Sequence, residues 1–279
     1  MIVMDGKHQS SILRRDLKKE IEKISPSSPC LLSLMIEGSS EADSYVRNKE
    51  KACNEVGIIS KHISLSKHVS ENDLIECIDR ANQDPEIHGI ILQMPLPKEF
   101  NQYRIFSHID PRKDVDGLHP LNLGRLLSGN PLFVPATPLA VLHLIESYGI
   151  PLSGKKAVVI GRSNIVGKPL SLLLLHHNCT VSITHSQTQS LANETLTADI
   201  LVAAIGQAHF VTSAYVKPGA VVLDVGINFA QNKLLGDVDF DSVAPLSSYI
   251  SPVPGGVGSL TTTMLLQNTW KAFKLQRWS

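Results

Sequence analysis

The segment from residue 155 to 188, KKAVVIGRSNIVGKPLSLLLLHHNCTVSITHSQT, constrains the fold more than any other part of this 279-residue chain. An apolar run ends in a turn that begins at Gly161, a leucine-rich stretch follows, and a second β-type run begins at Thr180. This order predicts a strand, a turn, a helix and a parallel strand. Such a βαβ unit can bind an anion at the N-terminus of its helix.

The tip of the second predicted strand carries His185 and Ser186, with no aspartate or glutamate. Dinucleotide-binding units usually place a carboxylate there, about 20 residues past the glycines, to bind the 2′-hydroxyl of the ribose. Arg162 in the turn and Ser186 would instead suit an additional phosphate, which predicts NADP rather than NAD as the cofactor. The alternative is a unit that binds no nucleotide, since Gly161 and Gly167 lack the usual G-x-G-x-x-G spacing.

Composition narrows the class of protein and of partner. The 26 Lys and Arg residues balance the 26 Asp and Glu residues, so no surface for a nucleic acid is indicated. The cysteines are scattered and the histidines form no H-x-x-x-H or H-E-x-x-H pattern, so no metal site is expected. No apolar run is long enough to span a bilayer, and the first residues lack the pattern of a signal peptide. A cytoplasmic protein without a membrane partner is expected.

The remaining pattern predicts an α/β protein with two lobes. Strands are expected at 31–36, 62–65, 89–96, 156–160, 180–184, 200–205 and 220–225, and helices at 41–56, 71–81, 138–148 and 261–275. Alternating strands and helices indicate parallel sheets, while residues 109–138 are proline-rich and predicted to be a loop-rich crossing. We therefore expect an N-terminal parallel-sheet domain at 1–135, a Rossmann-like domain at 136–260 and a cleft between them. The helix within 261–279 is expected to pack back on the N-terminal domain.

Lys49 is the only charged residue in the apolar stripe of the predicted helix at 41–56. Tyr45 lies four residues earlier, so its hydroxyl and the ammonium can meet over the same face. The commoner outcome for such a lysine is that its ammonium reaches solvent. The alternative is desolvation, which lowers the pKa and makes a usable general base.

Three further polar residues lie in the predicted strand at 89–96 and in the crossing after it. Gln93 is the only polar residue in GIILQMPL. Its amide could contact a ligand, or it could be a structural amide whose hydrogen bonds are satisfied by loop backbone. Asp114 and Asp116 could anchor a donor-rich ligand such as an aminopyrimidine ring, or they could be ordinary turn residues before a glycine.

Taken together, the chain resembles the bifunctional methylenetetrahydrofolate dehydrogenase/methenyltetrahydrofolate cyclohydrolase family. The resemblance covers nearly the whole chain in the family's order. It is carried by YVRNKEKACNEVGI (45–58), GIILQMPLP (89–97), PRKDVDGLHPLNLGRL (111–126), TPLAVLHLIESYGI (137–150), GKKAVVIGRSNIVGKPLSLLLL (154–175), TVSITHSQT (180–188), KPGAVVLDVGIN (217–228), GDVDFDSV (236–243) and PVPGGVGSLTTTMLLQNT (252–269).

The resemblance implies two reactions at one site and a homodimer formed through the nucleotide domains. NADP would accept a hydride from 5,10-methylenetetrahydrofolate, and water would then open the methenyl product to 10-formyltetrahydrofolate. Lys49 matches the catalytic lysine, Gln93 the residue that holds it, Tyr45 the residue that packs on the folate, and Asp116 the carboxylate that grips the pterin. Met94, Pro254 and Gly255 are expected as further substrate contacts. The implied NADP contacts are Arg162 and Ser186 at the 2′-phosphate, with Gly161, Ser163, Ile227 and Thr261 elsewhere.

The loop Gly38–Ser44 departs from the family pattern, because it is one residue shorter and has Ala42 where a serine is common. Two alternatives therefore stay open: a dehydrogenase with weak or lost cyclohydrolase activity, and a non-catalytic paralogue that binds folate or NADP.

Overall fold

A computed structural model describes residues 1–24, 26–37, 40–230 and 233–277, without the side chains of residues 40–45 and 230. The helices are α1 Gly6–Glu22, α2 Ser40–Val56, α3 Glu71–Gln83, α4 Gln102–His108, α5 Pro120–Leu127, α6 Ala136–Ser147, α7 Gly167–His176, α8 Leu191–Thr195, α9 Phe240–Val243 and α10 Val257–Arg277. The strands are β1 Ile2–Val3, β2 Cys30–Ile36, β3 Ile59–Leu65, β4 Gly89–Leu92, β5 Lys156–Ile160, β6 Thr180–Thr184, β7 Ile200–Ala203, β8 Val221–Asp224, β9 Asn228–Ala230, β10 Lys233–Leu235 and β11 Tyr249–Ile250.

The chain divides into two compact units, each with its own sheet. The three-stranded unit comprises Ile12–Val134 and Thr262–Ser279, and the six-stranded unit comprises Met1–Ser11 and Pro135–Thr261. This is the expected two-domain α/β architecture. Met1–Ser11 differ from the expected boundaries, because β1 pairs with β11 and so joins the sheet of the C-terminal half.

The three-stranded unit contains a parallel sheet in the order β3-β2-β4. The central strand, β2, is a continuous apolar run except for Ser33, and it is buried on both faces as parallel strands usually are. Helix α3 begins with a capping box, in which Ser70 and Asp73 satisfy each other's backbone N–H groups.

The predictions for the N-terminal half differ from the structure at several points: helices α1 and α4 were not predicted, and β3 begins at Ile59 rather than at residue 62. The predicted strand 89–96 ends at Leu92, so Gln93 lies just beyond the strand. The predicted loop-rich crossing contains α5, which begins with Pro120 in its first turn. His119 caps α5, since its Nδ1 accepts a hydrogen bond from the N–H of Leu121 at 2.9 Å.

The six-stranded unit contains a parallel sheet in the order β1-β11-β8-β7-β5-β6, and an antiparallel β9-β10 hairpin. Val158, Leu201 and Val222 from neighbouring strands are almost completely buried and belong to one hydrophobic core. The six strands of the parallel sheet run the same way, so their carboxyl ends lie along one edge, where ligands of such sheets bind. In the described part of the chain, no helix is long and apolar enough to cross a membrane.

Candidate functional site

Lys49 lies in α2 with only 2% of its surface exposed. Its neighbours on the same helical face, Ala52, Cys53 and Val56, are buried as the apolar stripe predicts. The alternative in which the ammonium reaches solvent is therefore wrong for this lysine. The fold holds a basic group inside the three-stranded unit.

Two side chains accept hydrogen bonds from the Lys49 ammonium. Nζ lies 3.3 Å from Oε1 of Gln93 and 3.5 Å from Oγ of Ser33, which is buried in β2. The backbone N–H of Gln93 donates to the carbonyl of Leu34 at 2.8 Å. Its side-chain amide donates to the carbonyl of Met94 at 3.3 Å, which turns the amide oxygen toward the lysine. The predicted pair of Lys49 and Gln93 is in contact.

Burial lowers the pKa of Lys49 from 10.5 to about 8, because desolvation disfavours the ammonium. The negative charge of Asp116 opposes this shift and raises the pKa of Lys49, which puts Asp116 in the electrostatic neighbourhood of the amine. A lysine with a pKa of about 8 has an appreciable neutral fraction near physiological pH. The amine can therefore accept a proton.

Asp114 and Asp116 have different surroundings. The carboxylate of Asp114 is fully buried and accepts hydrogen bonds from the N–H groups of Leu118 and His119, at 3.1 and 2.8 Å, and from the amide of Asn122 at 2.7 Å. Asp114 thus organises the start of α5. Asp116 is only half-buried, so it is the carboxylate of the pair that a ligand can reach.

Tyr45 lies in α2, but its side chain is outside the described part of the structure. The same holds for the shortened loop before it, because residues 38 and 39 and the side chains of residues 40–44 lie outside the described part of the structure. The contact predicted between Tyr45 and the folate stays a prediction.

In the six-stranded unit, the turn after β5 is shaped by two glycines. Gly161 has a φ of 127°, and a Cβ there would lie 2.3 Å from the carbonyl oxygen of Ala204. A Cβ on Gly167 would lie 2.1 Å from the carbonyl oxygen of Gly161. Ser163 accepts hydrogen bonds from the N–H groups of Val166 and Gly167, at 3.1 and 3.4 Å, and so shapes the start of α7. Only glycine fits at positions 161 and 167.

Arg162 and Ser186 follow neighbouring parallel strands that are paired in register. Ile160 pairs with Thr184, and the N–H of Gly161 donates to the carbonyl of Thr184 at 2.9 Å. Arg162 and Ser186 each follow this pair by two residues, and both are exposed. Both residues therefore lie just beyond the carboxyl edge of the paired strands β5 and β6, and their joint contact with a phosphate stays a prediction.

The other predicted contacts of this unit lie around the start of α10. The side chain of Ile227 is 60% exposed and approaches Gly258, one turn before Thr261. Gly255 has a φ of 112°, and its carbonyl accepts hydrogen bonds from two N–H groups at the start of α1. Pro254 precedes it and is exposed.

Among the buried polar residues to which the sequence analysis gave no role, three bear on the two sites. Ser33 contacts Lys49, and its signal is a single hydroxyl within the apolar run CLLSLMI. Asp224 and Asp237 are buried carboxylates at the edge of the six-stranded sheet, and their signal is an acid directly after or near a buried strand. Among the described residues, no group of three or more His, Cys, Asp or Glu side chains could hold a metal ion.

Comparison with known proteins gives a consistent match over both units. Residues 4–116 match the model of the tetrahydrofolate dehydrogenase/cyclohydrolase catalytic domain, and residues 135–277 match that of the tetrahydrofolate dehydrogenase/cyclohydrolase NAD(P)-binding domain. The bifunctional protein FolD of Enterococcus faecalis is 49% identical over 278 residues, which is 99% of each chain.

Solved structures agree with this match. The crystal structure of the bifunctional enzyme FolD, methylenetetrahydrofolate dehydrogenase/cyclohydrolase, from Campylobacter jejuni is 42% identical, with a TM-score of 0.96 and 99% of each chain covered. The Trypanosoma brucei enzyme, solved with NADP and an inhibitor, is 34% identical, with a TM-score of 0.95. That comparison covers 100% of this chain and 99% of the other.

Proposed function

This chain belongs to the tetrahydrofolate dehydrogenase/cyclohydrolase family, and we propose on that premise that it carries out both reactions of the family's name. It oxidises 5,10-methylenetetrahydrofolate to 5,10-methenyltetrahydrofolate with NADP, and it hydrolyses this product to 10-formyltetrahydrofolate. The observation that carries the hydrolytic half is the buried Lys49, with a pKa of about 8 and a hydrogen bond to Gln93. A protein without proton-transfer chemistry has no need of a desolvated amine there.

Lys49 acts as the general base and then as the general acid of the hydrolysis. Its neutral amine takes a proton from water while the water oxygen bonds to the methenyl carbon of the cation. The Lys49 ammonium next returns the proton to N5 as the bond between that carbon and N5 breaks. The hydroxyl proton of the adduct is released as the formyl carbonyl forms, so the reaction yields one proton overall. Gln93 holds the amine at the reacting carbon through both steps.

The other substrate-binding residues orient the folate. Asp116 accepts hydrogen bonds from the donor-rich edge of the pterin, as a half-buried carboxylate can. Tyr45 packs on the pterin ring, and Met94, Pro254 and Gly255 complete the substrate contacts. The oxidation needs positioning more than acid–base help, because the lone pair of the folate nitrogen drives the departure of hydride.

The six-stranded unit fits a nicotinamide dinucleotide. Its glycine turn permits close approach of backbone and ligand, since Gly161 and Gly167 leave no room for a Cβ. Arg162 and Ser186 bind the 2′-phosphate, which selects NADP, and no carboxylate stands at the tip of β6 to bind a free ribose hydroxyl. Ser163, Ile227 and Thr261 make further contacts. When bound, NADP supplies the acceptor for the hydride.

An absorbance assay tests the two reactions together. Purified protein is mixed with 5,10-methylenetetrahydrofolate and either NADP or NAD, and the methenyl product and its decay are followed. Formation with NADP, followed by decay faster than in buffer alone, is the expected result. Formation without accelerated decay would leave a dehydrogenase without cyclohydrolase activity, and no formation with either cofactor would favour a non-catalytic paralogue.

The family relationship also supports a homodimer formed through the nucleotide-binding units of two chains, in the cytoplasm. Sedimentation equilibrium should give twice the mass of one chain at micromolar concentration. A monomeric mass under those conditions would contradict the dimer without affecting the proposed reactions.

A further inference from the structure

Asp237 is a completely buried carboxylate that lies outside the groups used in the two reactions. It accepts hydrogen bonds from three consecutive backbone N–H groups, those of Ile205 at 2.7 Å, Gly206 at 3.0 Å and Gln207 at 2.8 Å. The side-chain amide of Asn228 donates a fourth bond at 3.0 Å. One carboxylate thus joins the segment after β7 to the segment after β8.

Asp224, at the end of β8, holds the segment that carries Asp237. Its carboxylate accepts hydrogen bonds from the N–H groups of Asp237 and Val238, at 2.9 and 2.8 Å, and of Gly226 at 3.1 Å. Glycine is required where the backbone meets each carboxylate. A Cβ on Gly226 would lie 2.0 Å from Cγ of Asp237, and one on Gly236 would lie 1.8 Å from Oδ2 of Asp224. The backbone at these two glycines is therefore packed directly against the carboxylates of Asp224 and Asp237.

The two joined segments border the residues assigned to the cofactor. Ala204, directly before the first segment, has its carbonyl oxygen against Gly161 of the glycine turn. Ile227 lies in the second segment, between Gly226, whose N–H binds Asp224, and Asn228, whose amide binds Asp237. Both chain neighbours of Ile227 therefore donate a hydrogen bond to a buried carboxylate, Gly226 through its backbone and Asn228 through its side chain.

We propose that Asp237 is a positioning residue for the nicotinamide dinucleotide, which it serves by holding the 205–207 segment and the Ile227 segment in place at the carboxyl edge of β7 and β8. This inference rests on the proposed function, since it takes that edge to be the NADP site. A carboxylate can accept all four bonds, whereas an amide has one acceptor oxygen and turns its own N–H groups toward donors. Unpaired donors would let both segments shift.

The test compares Asp237→Asn with Asp199→Asn in the full chain. Asp199 belongs to the same unit and also accepts a backbone N–H, from Lys156 at 3.0 Å, but it precedes β7 and pairs with Lys217 at 2.7 Å. For each variant the Kd for NADP is measured by titration calorimetry, and KM and kcat of the oxidation are measured separately. Hydrolysis of supplied methenyltetrahydrofolate without NADP provides a readout that a cofactor effect does not touch.

We expect Asp237→Asn to raise the Kd and the KM for NADP at least about tenfold, while hydrolysis stays within about twofold of wild type and Asp199→Asn leaves both constants unchanged. Wild-type binding of NADP with an unaltered Kd in Asp237→Asn would overturn this proposal alone. Parallel loss of NADP binding and hydrolysis in a folded variant would also overturn it, because the role would then be structural. Failure of the wild type to bind NADP would overturn the proposed function as well.

If Asp237→Asn does not fold, Asn228→Ala tests the proposal in its place. It removes the Asn228 amide from Asp237 while leaving the carboxylate and its three backbone donors. A rise of about threefold or more in the Kd for NADP, with hydrolysis unchanged, supports the proposal. An unchanged Kd in this variant contradicts it.

Discussion

Substitution of Lys49 by methionine removes the amine and keeps a flexible side chain of similar length at the same buried position. We expect hydrolysis of methenyltetrahydrofolate to fall by a factor of about 100 or more, the usual range for the loss of a general base. The NADP affinity and the midpoint of thermal unfolding should be retained, since an apolar group replaces a desolvated cation. Lys51→Met, at an exposed position of the same helix, is the control. Full hydrolysis by Lys49→Met would refute the catalytic assignment.

The pH dependence of hydrolysis follows from the lowered pKa of Lys49. Only the neutral amine accepts a proton, so kcat/KM for hydrolysis, corrected for the reaction in buffer, should rise with pH and level off above about 8. The contribution of Lys49 to stability also increases with pH. Between about pH 8 and the unfolded-state pKa of 10.5, the unfolded chain binds more protons at Lys49, so this group's contribution to the free energy of unfolding increases with pH. An inflection that persists in Lys49→Met would assign it to another group.

Arg162 is a second single residue with a testable role, because its guanidinium should distinguish NADP from NAD. Arg162→Ala should weaken NADP by about tenfold or more and leave NAD nearly unchanged, since only NADP carries the 2′-phosphate that the guanidinium binds. Titration with each cofactor measures the two affinities. Equal losses for NADP and NAD would contradict the phosphate site at Arg162 and Ser186.

At the scale of elements, the turn between β5 and α7 depends on Gly167. Gly167→Ala places a Cβ 2.1 Å from the carbonyl oxygen of Gly161, so the strand and the helix must move apart. We expect the free energy of unfolding to fall by about 1–3 kcal/mol and NADP binding to weaken strongly. Urea unfolding and calorimetry provide the measurements.

Gly124→Ala is the matched control for that substitution. Gly124 lies inside α5, and no atom would lie within 4 Å of an added Cβ. Alanine should therefore stabilise the protein by up to about 1 kcal/mol through its higher helix propensity. A comparable loss of stability in both variants would show that close approach at Gly167 is not the cause.

At the scale of the whole molecule, the two units should respond to different ligands. Hydrogen exchange should slow most within Pro135–Thr261 when NADP is added, and most within Ile12–Val134 when a non-reactive folate analogue is added. Mass spectrometry of peptides from each unit measures this. Protection by NADP chiefly within Ile12–Val134 would contradict the assignment of ligands to units.

Local sequence patterns were enough to predict the α/β architecture and most of the long strands. Buried strands such as β2 and β5 are largely apolar runs, and glycine marks the turn after β5. The helix α5 was missed because eight residues are too few to show a periodicity, although His119-Pro120 is a recognisable start. Strands β1 and β11, of two residues each, exist only through their pairing with each other and with β8.

The surroundings of the polar residues could not be predicted from local patterns, because they depend on how the chain folds. The stripe on α2 placed Lys49 on an apolar face, but its pKa depends on burial and on the charge of Asp116, and its hydrogen bond to Gln93 comes from beyond β4. Likewise Asp237 looks like a turn residue until the segment after β7 turns three N–H groups toward it. Local patterns record which face of an element is apolar. The residues that desolvate a polar group or form its hydrogen bonds are distant along the chain, and they come into contact with it only in the folded protein.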